Sequence, residues 1–158
     1  MLLKQLGRRF GREGSCAEGL AVERRFLIDS VRLDSTRLAL ADGSGLASSN
    51  AVSPLALVGV LRFAHRHPGM EPFLAALPRP GTRGSLRRRF LGTSLEGRVA
   101  AKPGSITGVS SLAGYLDLAG GRRVTFAILV NHHTLGTTMV APLDSLVGDI
   151  ARGLEPRR

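Results

Sequence analysis

The stretch Gly97–Gly114, GRVAAKPGSITGVSSLAG, constrains the fold of this chain most strongly. At Gly97 the spacing of apolar residues changes from a helical period to the alternation of strands. Three consecutive strands are therefore predicted, with a hairpin turn at Gly120-Gly121: residues 99–102, 110–118 and 123–131. Neighbouring strands joined by tight turns form an antiparallel sheet.

Most of the remaining chain has helical patterns. Ser15 followed by Glu18 is a capping-box pattern, which predicts a helix that runs to about Val31. Ser53 suits the N-cap and Pro54 the first position of another helix. Further helices are predicted over residues 2–10, 71–77, 85–92 and 139–154, and a short extended segment over residues 37–41. The fold class is therefore α+β, an antiparallel sheet of about three strands packed on helices.

Length and composition indicate a folded domain with a strongly basic surface. The 158 residues are 43% hydrophobic, carry a formal charge of +10 and are predicted to form a single domain. This charge, with the arginines at 83, 87, 88 and 89, allows an alternative function: a non-catalytic module that binds an anionic polymer, either cell wall or nucleic acid. Only 4% of residues are aromatic, so a base-stacking surface for specific nucleic-acid recognition is not expected. No membrane span or secretory signal is recognised either.

Metal and thiol chemistry find little support in the sequence. The single cysteine, Cys16, allows no internal disulfide and is expected to be a half-buried residue near a helix start. His65 and His67 are two residues apart on a helix and so point in different directions. His132 and His133 follow a strand and have no carboxylate partner at a metal-ligand spacing, so no metal site is predicted. We expect them to be solvated residues in loops or at helix ends.

Two stretches carry residues with possible chemistry. One is the glycine-rich turn and polar loop of residues 42–50, DGSGLASSN; the other is Lys102-Pro103-Gly104, which contains one of only two lysines in the chain. In this order they resemble the serine D-alanyl-D-alanine carboxypeptidases/endopeptidases, the class C low-molecular-mass penicillin-binding proteins. In that family Asp-Gly-Ser-Gly-Leu precedes a Ser-x-Asn loop, and a Lys-Thr-Gly strand follows. The resemblance extends over nearly the whole chain.

The resemblance implies that residues 1–158 are the C-terminal portion of a penicillin-recognising (β-lactamase/transpeptidase-like) domain. It also implies hydrolysis of peptidoglycan stem peptides, binding of β-lactams, an extracytoplasmic location and no cofactor. By resemblance Ser48 and Asn50 orient the substrate, and Lys102 holds its terminal carboxylate. The substrate would lie along Gly104 and Ser105, with the Ser105 N–H in the oxyanion hole and Thr107 continuing the strand.

The sequence departs from the family at each motif. No Ser-x-x-Lys nucleophile motif is present, because neither Lys4 nor Lys102 follows a serine by three residues. Pro103 replaces the threonine of Lys-Thr-Gly, and Ala47 stands where a serine is expected, although Ser48 and Asn50 spell Ser-x-Asn one register later. We therefore expect a chain that is inactive alone, or one that a partner chain carrying Ser-x-x-Lys completes.

Simpler roles for the same residues remain open at this point. Lys102 and Pro103 are also the residue types that keep an edge strand from pairing with other chains. Asn50 could serve only to cap the turn before Ser53.

Overall fold

The structure, a computed structural model, describes residues 2–82 and 84–155. It divides into two compact units, Met1–Phe63 and Ala64–Arg158. The helices are α1 (Leu2–Phe10), α2 (Cys16–Arg25), α3 (Pro54–Arg66), α4 (Glu71–Ala76) and α5 (Val140–Leu154). The strands are β1 (Leu38–Ala39), β2 (Ala51–Val52), β3 (Val99–Ile106), β4 (Val109–Asp117) and β5 (Arg123–Asn131). Among the described helices, none is long and apolar enough to cross a membrane. The expectation of one partial domain over residues 1–158 stays a prediction.

The first unit begins with a tightly packed pair of helices, α1 and α2. They approach closely at Gly19, where an added Cβ would lie 2.1 Å from the Leu3 carbonyl oxygen. The hydroxyl of Ser15 accepts the Glu18 N–H at 3.1 Å, as the capping-box pattern predicts. The Glu18 carboxylate, however, accepts the backbone N–H and guanidinium of Arg12 instead of reaching back to Ser15. A π-helical turn, Phe26–Ser30, then carries the helix to the predicted end at Val31.

The N-cap predicted for α3 is also present. The hydroxyl of Ser53 accepts the Ala56 N–H at 3.1 Å, and Pro54 occupies the first position of the helix. Before it, β1 and β2 form a short antiparallel pair in which Leu38 lies opposite Val52. Phe26 packs edge to face against Phe63 of α3, with 5.5 Å between the ring centroids.

The second unit is built on the predicted antiparallel sheet, with strand order β3-β4-β5. Paired residues of an antiparallel sheet point to the same face, so the register defines the two faces. One face carries Val99 opposite Leu116 and Ala101 opposite Gly114, and it packs on α5. Its core contains residues from the segment before β3, from the sheet and from α5: Leu86, Phe90, Leu95, Val99, Ala101, Leu112, Leu116, Leu118, Phe126, Leu143, Val147 and Ala151.

The helix predicted over residues 85–92 is wrong. This segment is a series of turns, and both Phe90 and Gly92 have a positive φ, of 61° and 66°. Leu86, fully buried, and Phe90, 6% exposed, both enter the core from it. Burying these two side chains together overrides the helical propensity of the arginines between them.

The hairpin between β4 and β5 contains a carboxylate whose ionisation stabilises the fold. Arg123 Nε donates to Asp117 Oδ1 at 2.6 Å, and these hydrogen bonds hold the pKa of Asp117 below its usual value. A lowered pKa in the folded state stabilises the protein above the unfolded pKa, about 3.9, and that contribution is lost as the pH falls further. We expect Asp117→Asn to lose less stability than the wild type between about pH 5 and pH 2, with the free energy of unfolding measured in urea at each pH. Asp149→Asn, which alters an exposed ion pair with Arg152, is the control. Equal pH dependence in wild type and Asp117→Asn would contradict this prediction.

Candidate functional site

The outer edge of β3 places alternate backbone groups away from the sheet. The N–H of Ala101 donates to the Pro78 carbonyl at 3.1 Å, outside the β3–β4 pairing. Backbone N–H groups two residues apart on a strand point the same way. The nitrogens of Pro103 and Ser105 therefore face outward too. Proline at position 103 removes no hydrogen bond between β3 and β4, and this explains how the strand accommodates it.

Lys102, Gly104 and Ser105 give this edge its chemistry. Lys102 is exposed, and its Nζ donates to the outward-facing carbonyl of Pro103 at 2.6 Å. A Cβ at Gly104 would lie 2.5 Å from Ser111 Oγ, so glycine avoids a clash with the neighbouring strand. The N–H and carbonyl of Ser105 face outward beyond it. An extended ligand can pair with such an edge by strand addition.

A pocket of about 450 Å³ opens beside this edge, within the second unit. Residues 102–105 of β3 form one side, and the segment of residues 136–140 forms another. Ser85, Arg89, Ser110, Ser111 and Leu143 complete the lining. Hydroxyl groups, a lysine and apolar carbon therefore converge on one concave surface, which is a common composition for a ligand site.

Thr107 does not continue the strand as predicted. β3 ends at Ile106, which pairs with Val109, so that Thr107 and Gly108 form the two-residue turn between β3 and β4. Gly108 has a φ of 69° there, which the turn requires and which glycine adopts without strain. Thr107 is not among the residues that line the pocket.

Arg89 belongs to the core and not to a basic surface. Its Nε and Nη2 donate to Asp144 Oδ1 at 3.0 and 2.5 Å, and only 9% of its surface is exposed. Arg83 lies outside the described residues, while Arg87 and Arg88 are exposed. Of the four arginines that the sequence places together, Arg87 and Arg88 are therefore the ones that the described part of the chain leaves on the surface.

Asn50 supports the glycine-rich turn of the first unit. Its Oδ1 accepts the N–H groups of Ala41 and Asp42 at 2.8 and 3.2 Å, and its Nδ2 donates to Asp42 Oδ1 at 2.8 Å. The hydrogen bond from the Asn50 side chain is the largest of the causes that hold the pKa of Asp42 below its usual value. Ser48 is exposed on the same loop. A role for either residue toward a substrate stays a prediction.

Two residues differ from the local environments predicted for them. Cys16 is exposed at the first position of α2, where a half-buried side chain was expected. His133 is half-buried and its Nε2 lies 3.1 Å from Ser110 Oγ, so it is not a solvated loop residue. The two partners are 23 residues apart and meet only because β4 and β5 pair, so sequence spacing gave no signal. Within residues 2–82 and 84–155 no group of three possible ligands could hold a metal ion.

Two curated relatives cover much of the chain. It is 33% identical over 156 residues to the D-alanyl-D-alanine carboxypeptidase of Actinomadura sp. (strain R39), which covers 96% of this chain and 28% of that protein. It is 36% identical over 123 residues to carboxypeptidase DacB of Mycolicibacterium smegmatis, which covers 74% of this chain and 26% of the relative. The chain therefore spans little more than a quarter of the length of these relatives.

Solved structures give the same fold. Penicillin binding protein 4 (dacB) of Haemophilus influenzae, in a complex with a β-lactam, superposes with a TM-score of 0.82 at 27% identity over 95% of this chain and 37% of that one. A predatory endopeptidase of Bdellovibrio bacteriovorus shares the fold with a TM-score of 0.67 at 14% identity, over 96% of this chain and 45% of that one. Residues 1–148 match the D-Ala-D-Ala carboxypeptidase 3 (S13) family. The chain, an α+β protein with the penicillin-recognising fold, belongs to that family.

Proposed function

We propose that this chain supplies one wall of a D-alanyl-D-alanine carboxypeptidase site and is inactive on its own. The observation that carries the proposal is the outward-facing edge of β3, where the Lys102 ammonium donates to the Pro103 carbonyl and the Ser105 N–H and carbonyl are the next outward-facing groups. The relatives named for D-alanyl-D-alanine carboxypeptidase activity support the substrate class, a peptide that ends in D-alanyl-D-alanine. The inactivity rests on the absence of a Ser-x-x-Lys sequence from residues 1–158.

In this proposal the edge of β3 binds the end of the peptide. The Lys102 ammonium exchanges the Pro103 carbonyl for the terminal carboxylate, which as an anion is the stronger acceptor. The Ser105 N–H donates to the oxygen that becomes negative when the carbonyl is attacked. Pro103 has no hydroxyl to add, and the loss of one hydrogen bond to a charged group costs about 1.5–3 kcal/mol.

The first test uses the chain alone. Purified protein is expected neither to form a covalent adduct with labelled penicillin nor to release D-alanine from a peptide that ends in D-alanyl-D-alanine. The physical reason is that no serine of the chain has a lysine three residues later to take its proton. Stoichiometric penicillin labelling of any serine would overturn the proposed inactivity.

We further propose that a separate polypeptide carrying Ser-x-x-Lys completes the site. Strand β5 supports this, because residues 124–130, VTFAILV, carry no charge and have the composition of a central strand. Yet β5 is the outer strand of the sheet that the described residues form. The opposite edge, β3, has Lys102 and Pro103, which protect an edge strand from unwanted pairing. A neighbouring strand supplied by the partner would cover β5.

Co-expression tests this completion. A Ser-x-x-Lys polypeptide encoded beside this chain is expected to co-purify with it and to restore penicillin labelling on the partner's serine. The matched control is the same partner expressed without this chain, which is expected to remain unlabelled. If the partner is labelled equally well alone, this chain does not contribute a wall of the site.

A proline substitution isolates the backbone donor in the completed assembly. Ser105→Pro removes the outward N–H and, like the native Pro103, breaks no hydrogen bond of the β3–β4 pairing. We expect acylation by penicillin to slow by about 10²–10³-fold, the usual effect of losing one oxyanion donor. Ser105→Ala, which keeps the N–H and loses only the hydroxyl, is the control and is expected to retain most of the rate. Acylation of Ser105→Pro at the wild-type rate would show that this N–H does not serve the oxyanion.

A further inference from the structure

A serine and a histidine meet at the pocket of the second unit. Ser110 Oγ lies 3.1 Å from His133 Nε2, within hydrogen-bonding distance. Ser110 belongs to β4, is 8% exposed and lines the pocket, whereas His133 is half-buried on the segment that follows β5. Neither residue belongs to a motif by which the chain resembles its family.

The second ring nitrogen of His133 fixes the direction of this hydrogen bond. His133 Nδ1 lies 3.3 Å from the Thr134 carbonyl oxygen, which can only accept. In the neutral ring Nδ1 therefore carries the proton, and Nε2 is left as the acceptor of the Ser110 O–H. A hydroxyl that donates to an imidazole nitrogen is the arrangement by which a base activates a serine nucleophile.

The backbone around the pair is held in a costly conformation. His132 has a φ of 57°, a left-handed value that is uncommon for a residue with a side chain. The N–H of His133 donates to the Gly108 carbonyl at 3.2 Å, which ties the segment to the turn before β4. Strain of this kind persists where surrounding contacts hold it, and it is frequent at functional sites. Here it places the His133 ring against Ser110.

We propose that Ser110 and His133 are a nucleophile and its general base for small activated acyl donors. Ser110 Oγ attacks the carbonyl carbon of an ester as its proton passes to His133 Nε2. The bond from that carbon to the ester oxygen breaks, the alcohol or phenolate leaves, and the proton on Nε2 passes to it or to solvent. Water then attacks the acyl carbon while His133 Nε2 takes its proton, the bond from that carbon to Ser110 Oγ breaks, the carboxylic acid leaves, and Nε2 returns the proton to Oγ.

The pocket provides donors for the oxygen that becomes negative in this reaction. Ser105 pairs with Ser110 across β3 and β4, so their side chains lie on the same face of the sheet. Lys102 lines the same pocket and supplies positive charge. With a volume of about 450 Å³ the pocket has room for a small ester. This chemistry shares Lys102 and Ser105 with the proposed carboxypeptidase site, but its nucleophile and base are Ser110 and His133 and it needs no Ser-x-x-Lys lysine.

The test is acetylation of the full chain by p-nitrophenyl acetate. Because Cys16 is exposed and would react as well, all variants carry Cys16→Ser. Fragment-ion mass spectrometry locates the acetyl group, so that Ser110 is distinguished from its neighbour Ser111. We expect Ser110 to be the acetylated serine and His133→Gln to reduce its rate of acetylation about 100-fold or more, the range of general-base catalysis.

Further variants separate reactivity from folding. Ser110→Cys keeps a nucleophile and is expected to be acetylated at the same position, whereas Ser110→Ala is not acetylated there. Ser94→Ala, a change of an exposed serine that does not line the pocket, is expected to leave the rate unchanged. No acetyl-Ser110 in the wild-type chain overturns the proposal. So does an equal rate in a folded His133→Gln protein, shown by its circular dichroism.

Discussion

Replacing Gly114 with valine is expected to destabilise the second unit by about 3 kcal/mol or more and to lower its melting temperature. A Cβ at this position would lie 2.2 Å from the Ala100 carbonyl oxygen and 2.5 Å from the Ala101 Cα. Both contacts are with backbone, so no side-chain rotation can relieve them, and β3 and β4 would have to separate. Overpacking a core typically costs about 1–3 kcal/mol, and a forced backbone shift lies at or above the upper end of that range. Thermal unfolding followed by circular dichroism measures the change.

Gly153→Ala is the matched control for Gly114→Val. Gly153 lies in α5, and a Cβ there would meet no atom within 4 Å. Because alanine favours a helix over glycine by up to about 1 kcal/mol, this variant is expected to be neutral or slightly stabilised. A wild-type melting curve for Gly114→Val would show that the register of Ala101 opposite Gly114 is incorrect.

Asp144→Ala is expected to destabilise the second unit by about 3–5 kcal/mol, because it leaves the buried Arg89 guanidinium without its counter-charge. The Asp144 side chain is 22% exposed and accepts hydrogen bonds from two nitrogens of Arg89, whose side chain is 9% exposed. Urea unfolding gives the free energy of unfolding. The double variant Arg89→Met with Asp144→Ala removes both charges and is expected to recover much of the loss.

An exposed ion pair gives the comparison for Asp144. Asp149 pairs with Arg152 on α5, where their side chains are 61% and 72% exposed. Asp149→Ala is expected to cost less than about 1 kcal/mol, as surface pairs do. Equal losses for Asp144→Ala and Asp149→Ala would mean that the burial of Arg89 carries no energetic consequence.

Local sequence patterns predicted the sheet and the helix ends because short-range physics determines them. Ser53 and Pro54 begin α3 through contacts within three residues, and Gly120 and Gly121 adopt the positive φ of 74° and 75° that their hairpin needs. Residues 85–92 were mispredicted since the contacts that decide their structure are distant. The Arg89–Asp144 pair, for example, spans 55 residues.

The candidate site was predictable only in part for the same reason. Lys102, Gly104 and Ser105 were identified by resemblance, and the structure places all three along the lining of one pocket. Ser48 and Asn50 lie in the other compact unit. The contact between Ser110 and His133 depends on strand register and on the backbone of His132, neither of which local periodicity encodes.

The outward-facing nitrogen at position 103 separates folding from function along β3. That position contributes no hydrogen bond to the β3–β4 pairing. The backbone hydrogen bonds of the sheet are therefore the same whether position 103 is proline or threonine. Mutation can therefore change the groups that this edge offers to a ligand while the protein stays folded. The reverse change, Pro103→Thr, would return a hydroxyl and an N–H to the edge with no compensating substitution elsewhere in the sheet.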